Sequence, residues 1–193
     1  MKTRVREILA AVAVAALVSG CAPRQFERVG LHPEWATPVE MPGVSNLYCV
    51  SAELYRGAQP EEDGWPLLKE MGITTVVNLR TTHFERGEVT RAGLAYEQIF
   101  FRAWHPEEED MVRFLQIVTD RARTPVFVHC LWGADRTGLK CAVYRIAVQG
   151  WSKQEAVAEM TQGGFGYNTA SDDYVEFIEE LDVARLKKDA GLP

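Results

Sequence analysis

Val126-Phe127-Val128-His129-Cys130-Leu131-Trp132-Gly133-Ala134-Asp135-Arg136-Thr137-Gly138 is the stretch on which the reading of this chain turns. An apolar, β-branched run enters His-Cys. Six positions on comes Arg, then Thr-Gly, then the apolar run from Leu139 to Val148. This pattern predicts a strand, a tight loop and a helix N-terminus. Such a loop aims several backbone N–H groups at one spot, where the helix dipole adds partial positive charge. The N–H groups of Leu131, Trp132, Gly133, Ala134, Asp135 and Arg136 are the expected oxyanion cradle. A cysteine at its floor is kept as thiolate by the helix N-terminus and by Arg136. The Arg136 fork can grip two phosphate oxygens. A nucleophile, a cradle and a clamp within seven residues describe phosphoryl transfer through a phosphocysteine.

The run His129-Cys130-(five residues)-Arg136-Thr137-Gly138 resembles the signature of the cysteine-dependent protein tyrosine and dual-specificity phosphatases. Two upstream segments, Leu54-Tyr55-Arg56-Gly57-Ala58-Gln59-Pro60 and Gly72-Ile73-Thr74-Thr75-Val76-Val77-Asn78-Leu79-Arg80, resemble the opening of the atypical branch with bacterial, plant and fungal members. The resemblance runs from Leu47 to about Leu181. It implies an α/β fold with a mostly parallel central sheet flanked by helices, and a metal-independent phosphatase with no cofactor. It also implies that His129 orients the loop and favours the thiolate, and the site reading has Thr137 hydrogen-bond Cys130 and steady its thiolate. The expected substrate is a phosphorylated protein of the phosphotyrosine or phosphoserine-threonine class, or a small phosphorylated molecule. Alternatives are inositol phosphates, phosphoinositides or phosphoanhydrides, and a catalytically weak phosphate-binding module.

The general acid is the open position. Phosphatases of this kind carry Asp on a separate loop before the helix that precedes the catalytic strand. Here that loop reads Phe101-Arg102-Ala103-Trp104-His105-Pro106-Glu107, without Asp. The leading candidate is Asp135, inside the cradle; Asp110, Glu107 and His105 are the alternatives. Arg56 and Arg80 end strand-like runs; each could approach the phosphate mouth, with a surface ion pair as the favoured reading. Trp132 is placed to wall the pocket. Cys49 and Cys141 read as small buried apolar residues, either of which could trap an oxidised Cys130. His32, His83, His105 and His129 show no paired-ligand spacing, so no metal site is expected.

The chain has 193 residues and nearly half are apolar, enough for one medium domain. Its net charge of −6 argues against a nucleic-acid partner. Residues 1–20 have the form of a signal peptide: Lys2, Arg4 and Arg6, an apolar run from Ile8 to Val18, then Val18-Ser19-Gly20 before Cys21. Val-Ser-Gly-Cys resembles the bacterial lipoprotein box, which implies lipidation of Cys21 and a membrane anchor. Ala22, rather than Asp, after that cysteine suggests the outer membrane, with the enzyme facing the periplasm or the cell exterior. Residues 21–44, with Pro23, Pro33, Pro38 and Pro42, read as a tether. Trp35 is the residue there that could dock on the domain.

The phosphatase domain is then expected over 45–193. Strands are predicted at 46–50, 54–56, 73–79, 94–101 and up to Cys130. Helices are predicted at 61–71, from Pro106 onward, and at 137–149, 152–160 and 171–188. Ser152 and Ser171 are N-cap candidates, with Glu155 placed to complete a capping box. Thr82 to Gly93 is a helix or an exposed loop.

Overall fold

The computed structural model describes residues 34–168 and 173–193. The signal-peptide segment, Cys21, His32 and Ser171 lie outside them. Among the described residues the strands are β1 (Thr37–Pro38), β2 (Tyr48–Cys49), β3 (Leu54–Gly57), β4 (Thr75–Asn78), β5 (Ala95–Gln98) and β6 (Val126–His129). The helices are α1 (Gly64–Glu70), α2 (Arg86–Arg91), α3 (Glu108–Thr119), α4 (Asp135–Ala147), α5 (Lys153–Gln162), α6 (Asp173–Glu180) and α7 (Val183–Asp189).

One sheet carries the order β1-β2-β3-β6-β4-β5. Strands β3, β6, β4 and β5 are parallel, and the two N-terminal strands add an antiparallel edge. This is the mostly parallel α/β arrangement that the resemblance implied. Strands β4 and β6 are buried at every position, which explains their near-continuous apolar sequence. Val126 and Val128 join one core with Met111, Phe114, Leu139 and Val143; Phe127 points to the other with Trp65, Leu68 and Val76. Each fully buried side chain of this size contributes about 1.5–3 kcal/mol.

The register sets the site. His129 pairs with Gly57 on β3 and with Asn78 on β4. Three parallel strands therefore end level, and Cys130 leaves the sheet from the middle of that edge. Ligand sites in open parallel sheets form at such an edge.

Several boundaries differ from expectation. Residues 34–44 are not wholly tether: β1 pairs with β2, Ala36 and Val44 are buried, and the Ala36 N–H donates to Glu159 Oε1 at 2.6 Å. Helix α3 starts at Glu108, with Glu107 as its N-cap residue, so Pro106 precedes the helix. The single helix expected over 171–188 is two, because Asp182 caps a new start by accepting from the Arg185 N–H at 3.0 Å. The Ser152–Glu155 capping box on α5 is as read.

Candidate active site

Cys130 lies at the carboxyl end of β6 and is buried. The loop turns through Gly133 at φ 68°. A β-carbon there would fall 2.3 Å from the Gly57 carbonyl, so the position requires glycine twice over. Helix α4 begins at Asp135, two residues earlier than expected, with Ala134 as N-cap residue. Arg136 and Thr137 thus sit in its first turn, where backbone N–H groups lack helical partners. Among the described residues, the N–H groups of Leu131, Trp132, Gly133 and Ala134 make no backbone hydrogen bond.

Arg136 is half-buried and its Nη1 donates to the Leu79 carbonyl at 3.4 Å. The phenol of Tyr174, on α6, is pushed up first by burial. It then feels Arg136, Asp135 and Cys130 in turn. Tyr174 thus lies within electrostatic range of all three cradle groups. Sequence reading gave Tyr174 no role, because only the fold brings α6 over the loop. Its ring also packs edge-on to Phe101 at 6.0 Å. Trp132 stands 72% exposed at the rim.

The two aspartates differ in setting. Asp135 Oδ1 accepts the Asn168 N–H at 2.7 Å, which ties the loop after α5 to the start of α4. Burial pushes the Asp110 carboxyl up; Lys140 opposes that, while Glu107 and Glu109 add to it. His105 and Glu107 are 3.9 Å apart and Glu107 also pairs with Arg102 at 3.2 Å, all in exposed positions. Thr137, expected to hydrogen-bond Cys130, is buried with its hydroxyl unpartnered among the described residues.

Arg56 is not a surface ion pair. It is 1% exposed, donates through Nη2 to the Gly133 carbonyl at 2.6 Å and the Ala134 carbonyl at 3.2 Å, and stacks 3.8 Å over Phe165. Arg80 is half-buried and donates to Gln59 Oε1 at 3.1 Å. Behind Cys130, His129 and Glu85 are both buried and in contact. Lys140, one turn past Arg136, is fully buried; burial drives its amine down to about 7 against the pull of Asp110. Nothing in the sequence flagged Glu85 or Lys140, since each looks like an ordinary surface charge. Cys130 and Cys141 are free thiols, and burial pushes Cys141 up to about 11. Cys49 is disulfide-bonded, so it is neither a simple apolar filler nor an available trap for Cys130. No cluster of three or more metal-ligating side chains occurs among the described residues.

The family model described as DSP-PTPase phosphatase fused to NAD+ kinase matches residues 44–176. The chain belongs to this dual-specificity phosphatase family. The phosphatase is 34% identical over 183 residues to the dual specificity protein phosphatase TpbA of Pseudomonas aeruginosa strain UCBPP-PA14, covering 94% of this chain and 83% of the relative. The crystal structure of a Cys-to-Ser variant of P. aeruginosa TpbA in complex with phosphotyrosine superposes with TM-score 0.72, at 32% identity, over 82% of this phosphatase and 97% of that chain. The catalytic core of the yeast PP-IP phosphatase Siw14, in complex with citrate, shares the fold at TM-score 0.66 and 22% identity, over 76% and 92% of the two chains. The phosphatase is therefore a cysteine-dependent hydrolase of phosphate monoesters.

Of the residues singled out in the sequence, the phosphatase gathers Cys130, Asp135 and Arg136 at one strand end. His105 and Glu107 stay on the exposed segment before α3, and Asp110 lies in the first turn of that helix.

Proposed function

We propose that the enzyme hydrolyses phosphotyrosine, and phosphoserine or phosphothreonine, with Cys130 as nucleophile. The Cys130 thiolate attacks phosphorus, an S–P bond forms and the P–O bond to the leaving oxygen breaks. Water then attacks the phosphocysteine, releasing inorganic phosphate and restoring the thiolate. Arg136 and the loop N–H groups hold the equatorial oxygens where charge spreads in the transition state.

Asp135 protonates the leaving oxygen in this reading. Its place at the first residue of α4, next to Arg136, and its hydrogen bond from the Asn168 N–H hold it at the cradle. Asp110 is the competing donor. What supports the proposal most is the placement of a buried Cys130 directly after β6 with Asp135 and Arg136 opening α4 at the same strand end. The relation to a phosphatase whose structure holds phosphotyrosine supports the substrate class.

The test is a panel of aryl phosphates with good and poor leaving groups, together with a phosphotyrosine peptide and an inositol polyphosphate. Wild type should turn over the peptide with EDTA present and be inhibited by vanadate. Cys130→Ser should be inactive. Asp135→Asn should lose most on poor leaving groups and little on good ones. The same pattern in Asp110→Asn instead would move the role there, and a preference for the inositol polyphosphate would reassign the substrate.

We also propose that the enzyme is exported and anchored through a lipid on Cys21, facing the periplasm or the cell exterior. The basic, apolar and small-residue succession of residues 1–20 supports this. A disulfide at Cys49 fits an oxidising compartment. Lipidation would put a thioether on the Cys21 sulfur. The intact mass of protein from membrane and soluble fractions tests it: a lipid adduct on the peptide that begins at Cys21 is expected, and an unmodified Cys21 in the membrane fraction would overturn the proposal.

A further inference from the structure

Folding buries most large apolar side chains, so the exceptions carry information. Among the described residues six are exposed: Phe84, Phe100, Trp104, Leu131, Trp132 and Val148, with Trp104 the most open at 75%. Single apolar residues scattered over a surface need no explanation. These are not scattered. Strands β4, β5 and β6 are parallel and end level, at Asn78, Gln98 and His129. Leu131 and Trp132 follow β6 in the cradle, Phe100 follows β5 by two residues, and Trp104 lies between β5 and α3. Phe84 lies between β4 and α2. Its neighbour His83 is tied to the strand ends, because the His83 carbonyl accepts from Asn78 Nδ2 at 3.0 Å and from Gln98 Nε2 at 3.5 Å. The Phe84 and Phe100 rings meet edge-on at 6.0 Å, one continuous apolar surface. Five of the six thus stand at the edge from which Cys130 leaves the sheet. Val148 is the exception: it closes α4, about 20 Å along the helix from the cradle.

Solvated rings add little to the stability of a fold, and the core beneath these is already filled: Phe101, next to Phe100, is fully buried. A contiguous apolar rim of this kind is surface left for a partner. The partner that necessarily meets it is the molecule whose phosphate lies in the cradle, since the residues on either side of a phosphorylated side chain must cross this edge. The nearby charges disfavour acidic residues there. Glu61, Glu62 and Asp63 follow β3 at the same edge, all exposed, and Arg102 is already paired with Glu107 at 3.2 Å.

We propose that Phe84, Phe100, Trp104 and Trp132 form a recognition rim that selects phosphotyrosine segments flanked by apolar or aromatic side chains over segments flanked by acidic ones. The inference rests on the phosphotyrosine reading above and narrows its substrate class. Aromatic side chains suit the task, because each buries a large apolar area against a partner and such anchors dominate binding at interfaces. The rim touches the flanks and not the reacting atoms, so its effect falls on KM more than on kcat.

The test is a set of phosphotyrosine peptides of one length, carrying Leu and Phe, Ala, or Glu on both sides of the phosphotyrosine. They are assayed on wild type, on the Phe84→Ser/Phe100→Ser double variant, on Trp104→Ser and on Val148→Ala. Wild type should favour the Leu and Phe peptide over the Glu peptide by roughly tenfold or more in kcat/KM, mainly through KM. The rim variants should bring that ratio toward one, whereas Val148→Ala should keep it. Equal kcat/KM for the three peptides on wild type, or a preference for Glu, overturns the proposal whether or not any variant folds, and leaves the phosphotyrosine reading standing. Hydrolysis of an inositol polyphosphate with no peptide turned over sinks that reading and the rim with it. Sedimentation with phosphatidylethanolamine–phosphatidylglycerol vesicles is the second readout. Rim variants that lose vesicle binding while keeping the wild-type peptide ratio would make the rim a bilayer contact and overturn the proposal.

Discussion

Arg56 Nη2 sits 2.6 Å from the Gly133 carbonyl. A strand two positions across the sheet from β4 thus supports the phosphate loop from below. The same nitrogen bonds the Ala134 carbonyl, and the guanidinium plane rests on Phe165. Lysine cannot hold two carbonyls and stack as a plane. Arg56→Lys should lower stability by about 1–3 kcal/mol, the cost of buried polar groups left unmatched. It should also lower kcat/KM by roughly tenfold or more through a loosened cradle. Urea unfolding and steady-state kinetics on one preparation check both.

Gly133→Ala should be more selective. The left-handed backbone and the 2.3 Å approach to Gly57 force the loop to move. Activity should fall by about a hundredfold while far-UV circular dichroism stays that of wild type. Gly72→Ala is the control. Its φ is 99° but nothing lies within 4 Å of the added carbon. It should cost about 1 kcal/mol in strain and leave kcat unchanged.

Lys140 yields a pH prediction. Its amine is fully buried, with Nζ 3.2 Å from Met111 Sδ and 4.5 Å over the Phe101 ring. Its native value of about 7 lies below its ordinary 10.5. Below about pH 7 both folded and unfolded chains carry this proton, so the cost of the buried charge is fully present. Between about 7 and 10.5 the unfolded chain binds more protons, so stability rises with pH. Lys140→Met removes that contribution. The stability advantage of the variant should be largest below pH 7 and shrink above it, by at most ~1.4 kcal/mol per pH unit. Denaturant titrations of both proteins below, near and above about pH 7 measure it.

The Arg145–Glu159 pair predicts a different outcome. Arg145 Nε and Nη2 bond the two Glu159 oxygens at 2.7 and 2.6 Å, and Glu159 also accepts the Ala36 N–H. Glu159→Ala strands a buried guanidinium and should cost about 3–5 kcal/mol. It should also release the N-terminal edge strand, so residues 34–40 should become cleavable by limited proteolysis. At temperatures where the variant remains folded, KM should hold at its wild-type value.

The sheet and the loop were legible because their signals are local. A buried parallel strand reads as a continuous apolar run, and the turn after Cys130 needs Gly133, Arg136 and Thr137 within a few positions. The groups around them were not legible, because each acts across the fold. Arg56 is 77 residues from the carbonyl it holds. Glu85 and Lys140 look solvated in sequence and become buried only when β6 and α4 pack. Tyr174 reaches the site through the return of α6. The break at Asp182 was missed because the apolar positions continue through it, and only the aspartate side chain marks the new helix start.

The central claim is a covalent phosphoryl group on Cys130, and rapid acid quenching of enzyme with an aryl phosphate, followed by peptide mass spectrometry, tests it most directly. The account predicts a single added phosphoryl group on the peptide that contains Cys130, gone in Cys130→Ser along with turnover. Steady hydrolysis with that peptide unmodified at every quench time, or undiminished in Cys130→Ser, would contradict it.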